Sequence, residues 1–122
     1  MTIAIWCIFI AATLPYVAFG FVKGLDAHHP RVGVGDLKGR AMLAYGAHLN
    51  GLETFPWFAA AVIVAHMLEG ASATVNGLAV AYVLLRVGHL AAYLADRQPL
   101  RTTFFTVAQL VALAIFVHPL FR

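Results

Sequence analysis

Four stretches of this chain are almost wholly apolar: about Ile3 to Val22, Ala41 to Leu68, Ala71 to Leu94, and Thr102 to Phe121. A hydrocarbon core of roughly 30 Å is crossed by about 20 helical residues, so each stretch predicts one transmembrane helix. The one substantial polar interval, GLDAHHPRVGVGDLKG, separates the first two runs, and its Gly, Pro and Asp residues stop helices. The second run passes to the third through Glu69 and Gly70, and the third to the fourth through ADRQPLR. Connections this short predict antiparallel neighbours. The expected fold is an all-α integral membrane protein, a single domain over residues 1–122 formed as a four-transmembrane-helix up-down bundle.

Composition agrees: apolar residues make up 62% of the chain and charged residues 11%. An average soluble domain is roughly a quarter charged, and a globule this small has a large surface to cover. Disordered chains, coiled coils, disulfide scaffolds and Rossmann-type enzymes are excluded on the same grounds. Cys7, the single cysteine, lies in the first apolar run, where a thiol acts as a small hydrophobe. No lysine or arginine precedes that run, so it is expected to remain as a span rather than be removed as a leader.

The positive charges fall unevenly. Lys23, Arg31, Lys38 and Arg40 follow the first run and Arg97 and Arg101 follow the third, while the opposite side has Arg122 alone. The positive-inside rule then places both basic loops in the cytoplasm and both termini outside, and the economical loops suggest a bacterial inner membrane. These charges are scattered and form no stripe for nucleic acid; lipid headgroups are their expected partner.

An ionisable group at bilayer depth must be paired or functional. The second run, within AHLNGLETFPWF, carries Asn50 and Glu53 three residues apart on one helical face, with Gly46 leaving room beside them and His48 pointing elsewhere. Pro56 should free the carbonyl of Leu52 and loosen the helix there. In the third run Tyr82, Arg86, His89 and Tyr93 recur at spacings of four, three and four, a stripe roughly 16 Å long. Arg101 stands at the amino end of the fourth run, with Thr102, Phe105 and Gln109 on one flank, and a helix amino terminus beside an arginine attracts anions. An alternative is purely structural: an Arg86–Glu53 ion pair, with Asn50 and Gln109 as interhelical hydrogen bonds. His28 and His29 in the loop, and His66 and His118 at the far ends, suit headgroup contact. No metal is expected, since the histidines lack ligand spacing. Ser72, the sole serine, leaves no serine triad, and no Gly-rich phosphate loop is present.

Such a face can hold a small, multiply charged molecule, with its carboxylates met by Arg or Lys and an amine by Glu53. A lipophilic second ligand could enter from the bilayer, and an arginine at a helix amino end favours thiolate, the nucleophilic form of a thiol.

The stretch GRAMLAYGAHLNGLETFPWF, with Asn-x-x-Glu ahead of a proline, resembles the signature of the MAPEG family, membrane-associated proteins in eicosanoid and glutathione metabolism. RVGHLAAYL and RTTFFTVAQL are similar to the corresponding region of its prostaglandin synthase branch. The resemblance implies a homotrimer binding glutathione between subunits near the cytoplasmic side. It implies that Arg101 stabilises the glutathione thiolate with Thr102 near the sulfur. Lys23, Asn50, Glu53, Arg86, His89 and Tyr93 would hold the peptide. The chain departs from the family where arginines often stand before the Asn: those positions are Gly46 and Leu49, and Phe105 replaces a tyrosine.

The resulting expectation is a glutathione-dependent transferase or peroxidase acting on a lipophilic electrophile or hydroperoxide in the bilayer. The alternatives are a proton-coupled four-span transporter using Glu53 and a non-catalytic membrane subunit.

Overall fold

The computed structural model describes residues 1–122 and contains four helices: α1 (Ile3–Phe19), α2 (Gly39–Glu69), α3 (Ala73–Leu94) and α4 (Gln98–Val117). Short 3-10 turns at Val34–Asp36 and His118–Phe121 complete it, and there are no strands. The protein is a four-helix membrane bundle, multi-pass and integral: α2, α3 and α4 are each long and apolar enough to span. α1 is the shortest at 17 residues, about 25 Å at 1.5 Å per residue, which reaches the lower limit of a span.

The helices depart from the apolar runs most at α1 and α4. α1 stops at Phe19 rather than Val22, because the chain turns at Gly20 and Phe21 into the polar loop. α4 starts at Gln98, four residues before Thr102, because Pro99 lies in its first turn, where a fixed φ favours the helix and a missing N–H costs nothing. At α3 the Ser72 hydroxyl accepts the Val75 N–H at 3.2 Å and caps the helix. Gly70 closes α2 with φ +74°, a conformation that other residues adopt only with strain. Pro56 leaves α2 continuous and only removes the donor for the Leu52 carbonyl.

α1 packs along α2 and α3 along α4, with further contact of α1 on α3 and α2 on α4. The α2–α3 pair, although joined by only three residues, touches over less of its length, so these two helices lie across a diagonal of the bundle. Small residues line the seams: Ala4, Cys7 and Ala11 on α1, Ala61 and Ala65 on α2, Ala79 on α3, Ala108 and Ala112 on α4. Lipid offers no hydrophobic drive between helices, so close backbone approach and van der Waals packing replace it. Phe58 and Tyr82 stack at 3.9 Å between ring centroids in the middle of this core. Large apolar side chains such as Trp6, Phe9, Leu84, Leu110 and Phe116 point outward, as a lipid-facing surface requires.

At the end that carries both termini, Thr2 Oγ1 lies 2.7 Å from His66 Nε2, and the Ala4 N–H donates to Asn76 Oδ1 at 2.9 Å. His118 and Arg122 both reach the Glu69 carboxylate, at 2.8 and 3.4 Å. His66 and His118 are thus bonded within the bundle, where the sequence alone suggested headgroup contact.

Candidate functional site

The antiparallel order brings the carboxyl end of α3, the amino end of α4 and the amino-terminal half of α2 to the end of the bundle where the basic loops lie. There Asn50 of α2, His89 and Tyr93 of α3, and Arg101, Thr102 and Phe105 of α4 line one open cavity of about 200 Å³. Five of these six were singled out as one site, Phe105 having been noted beside them.

The cavity is held in place by a chain of contacts. Gly46 has no side chain, and an added Cβ would lie 2.6 Å from the Tyr93 hydroxyl, so the Tyr93 ring is seated directly on α2. The Arg101 guanidinium stands 4.3 Å from the centroid of that ring, a cation–π contact. His89, almost wholly buried, meets Tyr93 edge-on at 5.5 Å. On α4 the Gln98 amide donates to Thr102 Oγ1 at 2.9 Å, which leaves the Thr102 proton free to point at a ligand. Gln98 was not singled out: the fourth helix was expected to begin at Thr102, so a partner four residues upstream lay outside it.

Asn50 is oriented from behind. Arg86 Nη2 donates to Asn50 Oδ1 at 2.6 Å, so Asn50 turns its amide N–H group toward other partners. Arg86 itself does not line the open cavity and reaches it only through Asn50. It forms no ion pair with Glu53, the structural alternative, because Glu53 lies exposed on the outside of the bundle while Arg86 is buried within it. Lys23 also stays apart, exposed in the loop beyond α1. Gln109 makes no interhelical hydrogen bond either: its Oε1 is buried without a partner, beside an apolar cleft between α2 and α4. His48 is engaged elsewhere, 2.7 Å from the Pro15 carbonyl.

No group of three or more potential metal ligands forms anywhere in the chain. The cavity thus combines a cation at the start of α4, a hydroxyl beside it, and an amide fixed from behind.

Residues 2–121 match the MAPEG family, almost the whole chain and all four helices. The chain belongs to the MAPEG family. No curated protein and no solved structure matches it. As a member of this family it is a membrane protein of the glutathione and eicosanoid group. At the two positions ahead of Asn50, the space beside Gly46 is filled by the Tyr93 phenol, and Leu49 is exposed.

Proposed function

We propose that this protein is a membrane-embedded glutathione-dependent transferase or peroxidase, working on lipophilic electrophiles or hydroperoxides dissolved in the bilayer. The observation that carries this reading is the placing of Arg101 and Thr102 side by side on the cavity that Asn50, His89 and Tyr93 also line. In this scheme the thiol of glutathione loses its proton next to the Arg101 guanidinium, and Thr102 donates its hydroxyl proton in a hydrogen bond to the thiolate. The thiolate then attacks an electrophilic carbon, forming a thioether and expelling a leaving group or generating a carbanion that takes up a proton. With a hydroperoxide it attacks the terminal oxygen, releasing an alcohol and a sulfenic acid that a second glutathione reduces to the disulfide. Asn50 and Tyr93 bind the peptide.

The cavity supports the further proposal of a homotrimer. At about 200 Å³ it is below the roughly 300 Å³ common for small-molecule sites, and it is open on one side. In this reading a neighbouring subunit supplies the missing wall, and Lys23 and Glu53, both exposed, serve the site of the adjacent subunit. This also favours the enzyme over a transporter, because Glu53 is not enclosed by its own four helices.

Ultraviolet difference absorbance of the detergent-solubilised protein, titrated with glutathione at neutral pH, tests the reading. A saturable thiolate band is expected in the wild type and lost in Arg101→Ala. No band in the wild type, together with no thermal stabilisation by glutathione, refutes it.

A further inference from the structure

A groove of about 510 Å³ lies between the carboxyl end of α1, the first half of α2 and the basic loop that joins them. It shares no residue with the cavity of Asn50 and Arg101. Tyr16 and Phe19 of α1 and Tyr45, His48, Leu49 and Leu52 of α2 line it, and Pro30 and Arg31 of the loop complete the wall. His48 ties the two helices together there. Its Nδ1 donates to the Pro15 carbonyl at 2.7 Å, and its ring lies 5.7, 5.0 and 6.0 Å from those of Tyr16, Phe19 and Tyr45, centroid to centroid.

The groove changes character with depth. α1 ends at Phe19, beside His48, whereas α2 begins at Gly39, roughly 13 Å further out at 1.5 Å per residue. Phe19 and Tyr45 therefore mark the edge of the hydrocarbon, a level at which aromatic rings are enriched in membrane proteins. Leu49 and Leu52, both partly exposed, continue the groove inward along α2, and Arg31 stands on its outer side in the loop.

Arg31 is exposed and forms no ion pair, both salt bridges of the chain belonging to Glu69. No acidic residue lines the groove. Asp26, in the same loop, accepts the His28 backbone N–H at 2.9 Å. Lys23, Arg31, Lys38 and Arg40 outnumber Asp26 and Asp36 around it, so the local field is positive. A free hydrated anion gains nothing from the aromatic and leucine walls. An apolar chain gains nothing from Arg31. A molecule with a phosphate at one end and a hydrocarbon chain at the other uses both, and an ammonium on its headgroup would meet no carboxylate here.

We propose that this groove binds one anionic phospholipid whose headgroup carries a phosphodiester and no amine. The phosphate sits on Arg31 and an acyl chain runs along Tyr16, Leu49 and Leu52. The lipid fastens the basic loop to the ends of α1 and α2, which sets this site apart from the diffuse attraction of basic residues to a membrane surface.

The test follows thermal unfolding of the full-length detergent-solubilised protein, without glutathione, as dioctanoylphosphatidylglycerol is added. A saturable rise of several degrees in the midpoint is expected, with none from the phosphatidylcholine of the same chains and none from glycerol phosphate. Arg31→Gln should fold as the wild type does, since Arg31 has no partner to lose, and should abolish the rise. Lys38→Gln, in the same loop but off the groove, should keep it. Equal rises with the two lipids, an equal rise with glycerol phosphate, or equal losses in the two variants overturn the proposal. Maleimide labelling of Leu52→Cys separates the lipid from a second copy of the chain, Cys7 being buried. Labelling should be fast in detergent and slowed several-fold by the anionic lipid; slow labelling without lipid means that another subunit covers the groove, and overturns the proposal. Glutathione enters none of these measurements, so failure here leaves the transferase reading intact.

Discussion

The phenol of Tyr93 occupies the space that any side chain at position 46 would need, its hydroxyl lying 2.6 Å from where a Cβ of Gly46 would stand. Two carbons of the same ring would be 3.1 Å from that Cβ, and the Arg101 guanidinium lies over the ring at 4.3 Å. One missing side chain on α2 therefore sets the position of a cation on α4 by way of α3. Gly46→Ala should destabilise the protein by about 1–3 kcal/mol through overpacking. Most of that loss should disappear in a Tyr93→Phe background, which removes the nearest atom. Thermal unfolding of both single variants and the double variant measures the coupling; strictly additive losses would show that the contact carries no energy.

Asn50 is the only side chain that accepts a hydrogen bond from Arg86. Asn50→Ala should cost about 1.5–3 kcal/mol, the range for a hydrogen bond to a charged group. Asn50→Asp should recover stability relative to the alanine variant, because a carboxylate gives the guanidinium a charged partner. Chemical or thermal unfolding in one detergent compares the two, and an aspartate variant no more stable than the alanine variant would show that the Arg86 guanidinium gains nothing from a charged partner at this position.

Glu69 ties the carboxyl end of the chain to the end of α2. Its side chain is 4% exposed, while those of His118 and Arg122 are 21% and 52% exposed. Removing the buried partner should therefore matter more than removing the exposed one. Glu69→Ala is expected to lose about 1–3 kcal/mol, and Arg122→Ala less than about 1 kcal/mol, as for a surface pair. Hydrogen exchange over residues 113–122 should speed up in the first variant and barely change in the second.

Thr102 accepts from Gln98 and so presents its proton outward. Under the transferase reading, Thr102→Val should lower turnover about tenfold, equivalent to about 1.4 kcal/mol of transition-state stabilisation. Gln98→Ala should have a smaller effect in the same direction, since it loosens the hydroxyl without removing it. Steady-state kinetics with a general electrophile such as a chlorodinitrobenzene would rank them; a larger loss for Gln98→Ala would point to disturbed helix initiation instead.

Much of the site was legible as spacing. Asn50, His89, Tyr93, Arg101 and Thr102 each lie on a helix face that could be counted along the chain, and the structure brings all five to one cavity. Gly46 could be read as room for a neighbour, but nothing in its own helix says that the neighbour is Tyr93. Gln98 was hidden by a boundary: the apolar run begins at Thr102, whereas Pro99 lets the helix begin a turn earlier in polar residues. Arg86 and Glu53 were natural partners by charge, yet one faces into the bundle and the other out of it.

Membrane residence, the number of helices and their order depend on sums over neighbouring residues, since the cost of placing a side chain in hydrocarbon is paid locally. Those properties the amino-acid order determined unaided. The tertiary structure decided which polar groups meet: Arg86 with Asn50 rather than Glu53, and Arg101 over Tyr93 rather than free at a helix end. Such pairings turn on the rotation of each helix about its axis and on how closely two backbones approach. A rotation of a few tens of degrees exchanges one partner for another while leaving the hydropathy of every span unchanged.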